Sequence, residues 1–349
     1  MKLLKILGAG LLLLALALAG VLLWARGAAN AKLDTRWELP EEALPSPWPL
    51  GPEGVRTLQA ERATDRTMAV PVEPELDPTA GAEAWAIPPM TEAELGDAAR
   101  RLAIARGGHL ATALLDCAGC HGEDLGGAVR MDVPPVAGII GPNLTRGAGG
   151  LGPDFDIADF ERALRHGVKR DGRTSMMDVG DFADLTNREV SDLWAWLGSL
   201  PPVDRVMKPS YLGPVFWVLW ATGRQTASAF EQDHGRQHGV EPPPLTPDAS
   251  YGAHLAQFCA GCHGADFSGG PIPGGDPSWP PAANLTPHGD GLAGWTRDQF
   301  FAAMTEGRRP DGRVLDAVMP WTSYRNLEPM ELDALWVWLQ SLPPWPTPE

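Results

Sequence analysis

The sequence predicts an all-α chain in which two tandem copies of one small helical domain follow an N-terminal apolar helix. Three observations predict it. The chain repeats itself at a constant offset of 142, from Cys117 to Cys259, from Trp194 to Trp336 and from Leu200 to Leu342. Residues 6–25 form an almost unbroken apolar run, long enough to cross a bilayer as a helix. No convincing period-two alternation argues for strands.

The first element is that apolar run, preceded by Lys2 and Lys5 and followed by Arg26. Residues 1–27 are read as a transmembrane anchor or signal segment. Cleavage after Ala19 or Ala31, each closing an Ala-x-Ala triplet, is the competing reading. Cutting at Ala19 leaves Val21-Leu22-Leu23-Trp24 exposed, which favours an uncleaved anchor. The two leading lysines favour a cytoplasmic N-terminus, although Arg26, Lys32 and Arg36 blunt the signal. Residues 28–98 form an acidic, proline-rich linker. Within it, residues 38–97 hold ten prolines and 13 acidic against 3 basic residues, so an extended, solvated spacer is expected.

The repeats occupy 99–205 and 249–349, joined by a linker at 206–248. Small gaps mark the loops: Asn143-Leu144-Thr145 recurs at an offset of 141 and Asp171-Gly172-Arg173 at 140. In the first copy a helix is expected over about 99–115, another over 157–165 stopping at Gly167, and a last one capped by Thr186 with Glu189. The second copy mirrors this with 251–259, a helix between Thr296 and Gly307, and one opening at Pro329. In the linker, 211–221 carries Phe216, Trp217 and Trp220 and is too short to span a membrane. It is expected to pack on a domain, with contact to the bilayer interface as the alternative.

All four cysteines lie in two copies of Cys-Ala-Gly-Cys-His, Cys117–His121 and Cys259–His263. The spacing is that of covalent haem c attachment. Two thiols one helical turn apart can each add to a haem vinyl group, and the following imidazole faces the iron. Two disulfides would leave both histidines unexplained. A four-cysteine zinc site needs its pairs much closer in sequence than these two motifs stand. A thioredoxin-like dithiol wants a strand–helix–strand setting that is absent. Two covalent haem c groups are therefore expected, with His121 and His263 as proximal ligands.

What fills the opposite axial position decides the chemistry. Met177 follows His121 at the same offset, 56, at which Met319 follows His263. Both precede the last helix of their copy, and each has an aromatic a short step further on, Phe182 or Tyr324, again in matching register. Pro320 restricts the second loop; the first offers two sulfurs, Met176 and Met177, and no proline. His166 is the reserve candidate for the first iron. Asn143 and Asn284 are expected to donate to a propionate or to the loop backbone. Arg173 and Arg313 suit propionates or a plain Asp-Gly-Arg turn. The recurring tryptophans are read as core.

On these motifs, with Gly141-Pro142-Asn143-Leu144-Thr145, Ala283-Asn284-Leu285-Thr286-Pro287 and Ser199-Leu200-Pro201-Pro202 with its copy at Ser341–Pro344, the chain resembles membrane-associated c-type cytochromes related to the cytochrome subunits of periplasmic alcohol and gluconate dehydrogenases. The resemblance covers 99–205 and 249–349. It implies two tandem cytochrome c-like domains and electron transfer from a dehydrogenase toward a quinone or terminal oxidase. Such subunits usually hold three haems, whereas this chain has two motifs. Proline is missing after Met177, and Ala283 stands where Pro142 does.

The expected function is electron transfer by two haems at the periplasmic face of the cytoplasmic membrane, relaying electrons between a dehydrogenase and a respiratory acceptor. Such a chain is a carrier rather than an enzyme. Its partners would be redox proteins (dehydrogenase, oxidase or soluble cytochrome) and, through its N-terminal helix, the membrane. A formal charge of −16 argues against nucleic acid. The alternative is a haem enzyme such as a dihaem peroxidase, which needs one open iron and nearby acid–base groups. His109, His234, His238, His254 and His288 are the unassigned histidines for such a role.

Overall fold

The computed structural model describes residues 2–40, 42–68, 70–71, 85–276 and 278–348. Helix α1 runs Lys2–Leu33, and its most apolar window has mean hydropathy 2.7 with none of it buried. Its far end is covered. Ala25 and Ala29 are fully buried beside α7 (Pro214–Ala221), where Phe216, Trp217 and Trp220 pack. Arg26 lies over the Trp217 ring at 5.4 Å, and the Lys32 ammonium donates to the Trp220 carbonyl at 2.9 Å. Two alanines one turn apart let the bulky face of α7 approach the α1 backbone. The linker helix thus packs on the apolar N-terminal helix and, through Met176, also meets the first repeat.

The expectation of a wholly extended, solvated linker differs from the structure. Helix α2 (Pro52–Thr64) has proline in its first turn and buries no residue. Strand β1 (Val70–Pro71) pairs with β2 (Trp85–Ala86), and residues 72–84 lie outside the described residues. Residues 36–40 and 42–48 strap across the first repeat. Trp37 donates from its indole to Thr174 at 3.1 Å, Glu42 pairs with Arg165 at 2.9 Å, and Leu44 is buried in the main core. Average composition hid this, because one buried leucine and one carboxylate that meets a buried guanidinium suffice to anchor an acidic strand.

In the first repeat α3 (Glu92–His109) begins before position 99, because Thr91 and Glu94 close a capping box. It continues as a π-helical turn over Leu110–Leu114 into α4 (Cys117–His121). Helix α5 (Ile157–His166) ends at Gly167 with φ 64°, and α6 (Asn187–Leu197) is capped by Thr186 and Glu189 as expected. The second repeat supplies α8 (Ala249–Ala256), α9 (Ala260–His263), α10 (Arg297–Glu306), α11 (Trp321–Tyr324) and α12 (Pro329–Ser341). First and last helices cross at a glycine in both repeats. A Cβ on Gly107 would lie 2.0 Å from the Asp192 carbonyl oxygen, and one on Gly252 would lie 2.0 Å from that of Ala334. Only glycine allows backbones this close.

A small antiparallel sheet, β3 (Ala128–Val133), β4 (Ala137–Gly141) and β5 (Tyr211–Leu212), was not legible as alternation. Strand β3 is largely exposed on both faces, so no apolar period marks it. The helical fold class holds. One buried cluster runs through both repeats, joining Leu114, Leu164 and Leu193 to Leu255, Phe300 and Leu335.

Candidate haem sites and the interface between them

Each Cys-x-x-Cys-His segment is presented on its own short helix, and all four cysteines are unpaired. Burial, then the charge of Asp116, pushes the Cys117 thiol up to about 12. Burial, then Asp181, does the same to Cys259, also to about 12. Buried, neutral thiols of this kind are poor redox nucleophiles.

The two histidines are set identically. His121 donates from Nδ1 to the Pro142 carbonyl at 2.9 Å, and His263 donates to the Ala283 carbonyl at 2.7 Å. A carbonyl only accepts, so Nδ1 carries the proton and Nε2 keeps its lone pair. Burial lowers both imidazole pKa values and keeps the rings neutral. This is the ligand form an iron requires, oriented as metal-bound histidines usually are. The exchange of Pro142 for Ala283 is harmless here, because only the main-chain oxygen is used. Two thiols, a neutral imidazole and an apolar surround fit a covalent haem at each site.

Asn143 and Asn284 fill the loop-backbone role. Asn143 donates to the Val203 carbonyl at 2.7 Å and accepts from the Thr145 amide; Asn284 donates to the Trp345 carbonyl at 2.8 Å and accepts from Thr286. Each clasps the chain leaving the last helix onto the loop beneath the histidine. Arg173 and Arg313 close their Asp-Gly-Arg turns, at 2.7 Å to Asp171 and 2.6 Å to Asp311, and neither side chain is buried. Trp194 packs on Phe160 at 5.6 Å and Trp336 on Phe300 at 5.5 Å, the same core contact in both repeats. His166 engages His234 through Nδ1 at 3.0 Å and lies 3.4 Å from Glu161 through Nε2.

The sequence reading missed how the repeats meet. His109, at the end of α3, donates to Glu331 at 2.8 Å. Reciprocally, His254 on α8 donates to Glu189 at 2.7 Å. Both glutamates are also the third-position residues that cap their own last helices. The same carboxylate therefore holds a helix start and docks the other repeat. The haem motifs cross as well. Ser323, on the helix after Met319, donates to Asp116 at 2.7 Å, and the Gly261 amide bonds Asp181, just after Met177. Burial, then the neighbouring Asp178, pushes Asp181 up to about 6. A signal existed in that Glu189 and Glu331 differ by the repeat offset of 142, while His109 and His254 differ by 145. A longer connection between His109 and its haem motif, relative to that after His254, hid the match.

This docking gives a pH window. The hydrogen bond to Glu331 raises the His109 pKa against its burial. Burial pushes Glu189 up, but bonds from His254 and Thr186 outweigh it and leave that carboxyl below its usual value. The Glu189 contribution is present above the ordinary glutamate pKa near ~4.3 and is lost as pH falls through its depressed folded value. The His109 contribution is complete below ~6.5 and is lost as pH rises through its raised folded value. Thermal midpoints measured by calorimetry are therefore expected to peak between about pH 5 and pH 7, and Glu331→Gln should flatten the alkaline limb. An unchanged alkaline limb in that variant would refute the linkage.

Residues 102–197 match the family described as cytochrome c oxidase, cbb3-type, subunit III, and residues 249–343 match cytochrome c. The chain carries two cytochrome c domains. Each match contains one Cys-x-x-Cys-His motif, which indicates two haem c groups. Among curated proteins, the cytochrome c subunit of the quinone alcohol dehydrogenase of Gluconacetobacter polyoxogenes is 26% identical over 276 residues, covering 70% of this chain and 57% of that protein. The gluconate 2-dehydrogenase cytochrome c subunit of Pantoea cypripedii is 26% identical over 278 residues, covering 70% and 61%. A dihaem cytochrome c-type protein of Cereibacter sphaeroides is 26% identical over 235 residues, covering 58% and 74%. The two-domain chain thus spans little more than half the length of the dehydrogenase subunits, at distant similarity, and cytochrome c domains imply electron transfer.

Proposed function

We propose that this chain is a membrane-held dihaem electron carrier with His121 and Met177 as axial ligands of the first iron and His263 and Met319 of the second. The observation that carries the reading is the reciprocal docking, in which each haem motif touches the segment that follows the other domain's methionine. Met177 and Met319 both pack on the core shared by the domains, together with Phe182 and Tyr324, whereas Met176 packs on the cluster between α1 and α7. That partition favours Met177 over its neighbour as the ligand.

When bound, haem c supplies a reversible one-electron iron couple. The protein's own part is to hold two neutral imidazoles by Nδ1 and to keep water away with apolar side chains, and Met177 and Met319 would each offer a thioether to the iron. None of these groups moves a proton to a substrate. Two of the three relatives above are named as dehydrogenase cytochrome c subunits, and we assign this chain a dehydrogenase as donor and a respiratory carrier as acceptor, outside the cytoplasmic membrane. Helix α1 would be the anchor. The charge of −16 favours partners that present basic patches.

The test is an optical titration of the ferric and ferrous protein with carbon monoxide and peroxide. Two six-coordinate low-spin haems, a weak near-infrared methionine band and no ligand uptake are expected. A high-spin fraction that binds carbon monoxide or turns over peroxide would overturn the carrier reading and make one iron a catalyst.

A further inference from the structure

Away from both haem motifs, the first domain gathers histidines around a buried glutamate. Glu161 and His166, on α5, are buried, and His238 approaches them from the interdomain connector. One ligand atom from each of the three lies within 4.8 Å of the others. The His166 and His238 rings meet edge to face at 5.9 Å. His238 Nε2 is buried with no hydrogen-bond partner, an unusual state for a polar atom in a folded protein.

The hydrogen bonds fix the tautomers. His234 Nε2 lies 2.9 Å from the Ala229 carbonyl, so it must donate there, and a neutral His234 accepts at Nδ1. His166 Nδ1, 3.0 Å away, is then the donor. His166 Nε2 faces Glu161 at 3.4 Å, so an ion at this point would stand where a proton otherwise bridges the two. The chain from carbonyl through His234 to His166 is the outer support that metal-bound histidines characteristically have.

We propose that Glu161, His166 and His238 bind one divalent transition-metal ion of the zinc class, with a water in the remaining position. Two imidazoles and a carboxylate form a borderline donor set that suits zinc, whose bonds of about 2 Å require ligand atoms a little over ~3 Å apart. The ligand atoms, now within 4.8 Å of one another, would draw in to that spacing around the ion. The charges allow it, since Glu161 and Glu42 both lie against the single guanidinium of Arg165. The ion would staple the connector to the first domain, where Gly239 and Val240 already accept from the Asn187 and Arg188 amides. The role is structural and independent of what the haems do.

The experiment uses the untagged, full-length holoprotein, stripped with a chelator, exposed to zinc and desalted. Iron and zinc per chain are then counted by elemental mass spectrometry. About two irons and one zinc are expected, with zinc raising the thermal midpoint by about 2–4 °C or more. His238→Ala and Glu161→Gln should each reduce zinc to near zero while leaving haem content and visible spectrum unchanged. The proposal is overturned if the parent retains no zinc, or if both variants retain as much as the parent. Because Glu161 also meets Arg165, His238→Ala is the deciding variant should Glu161→Gln fail to fold.

Discussion

Met319→Ala will turn the second haem from a closed into an open site. The variant is expected to bind about one carbon monoxide per ferrous chain where the parent binds none, and its second midpoint potential will fall, because a thioether ligand favours the ferrous state. Met177→Ala should do the same to the first haem. Met176→Ala, whose side chain packs toward α1 and α7 rather than toward the shared core, should leave both potentials and the visible spectrum as they are. The three variants form a discriminating set, since general loosening of the Met176–Met177 loop would affect neighbours alike, whereas ligation singles out one. Potentiometric titration with carbon monoxide flash photolysis reads each outcome. A parent-like second potential in Met319→Ala would remove Met319 from the iron, and altered haem in Met176→Ala would reassign the first ligand.

The legible parts of this molecule are those where one local piece of chemistry repeats. Cys-x-x-Cys-His, the capping pair Thr186 and Glu189 and the stop at Gly307 each announce themselves within a short stretch of chain. What stayed hidden depends on side chains brought together from far along the chain. Glu189 was legible as a cap, but its second role requires His254, 65 residues away. Leu44 lies in an acidic stretch whose composition predicts solvation, yet a single leucine reaches the core. The connection from His109 to Cys117 is longer than that from His254 to Cys259, so the repeat itself concealed the symmetry of the contact. The glutamate–histidine cluster joins Glu161 and His166 on α5 to His238 in the interdomain connector, a separation no local spacing rule covers. The small sheet was missed for the opposite reason, since an exposed strand leaves no apolar signature.

Replacing Cys259 and Cys262 together by alanine will leave one covalent haem per chain, half the parental content, with the remaining haem still attached through Cys117 and Cys120. The pyridine haemochrome and the intact mass read this directly, and retention of two covalent haems would refute the attachment sites. The damage should extend beyond the second domain. Leu255, Phe300 and Leu335 belong to the same buried cluster as Leu114 and Leu193, so losing the group around which the second domain packs exposes the first. The latches would go with it. An unmoored α12 no longer holds Glu331 for His109, an unmoored α8 no longer holds His254 for Glu189, and Asp116 loses Ser323. The surviving haem's domain is therefore expected to unfold at a lower temperature than in the parent. The mirror variant at Cys117 and Cys120 should lower the second domain's midpoint in turn, because the contacts run both ways.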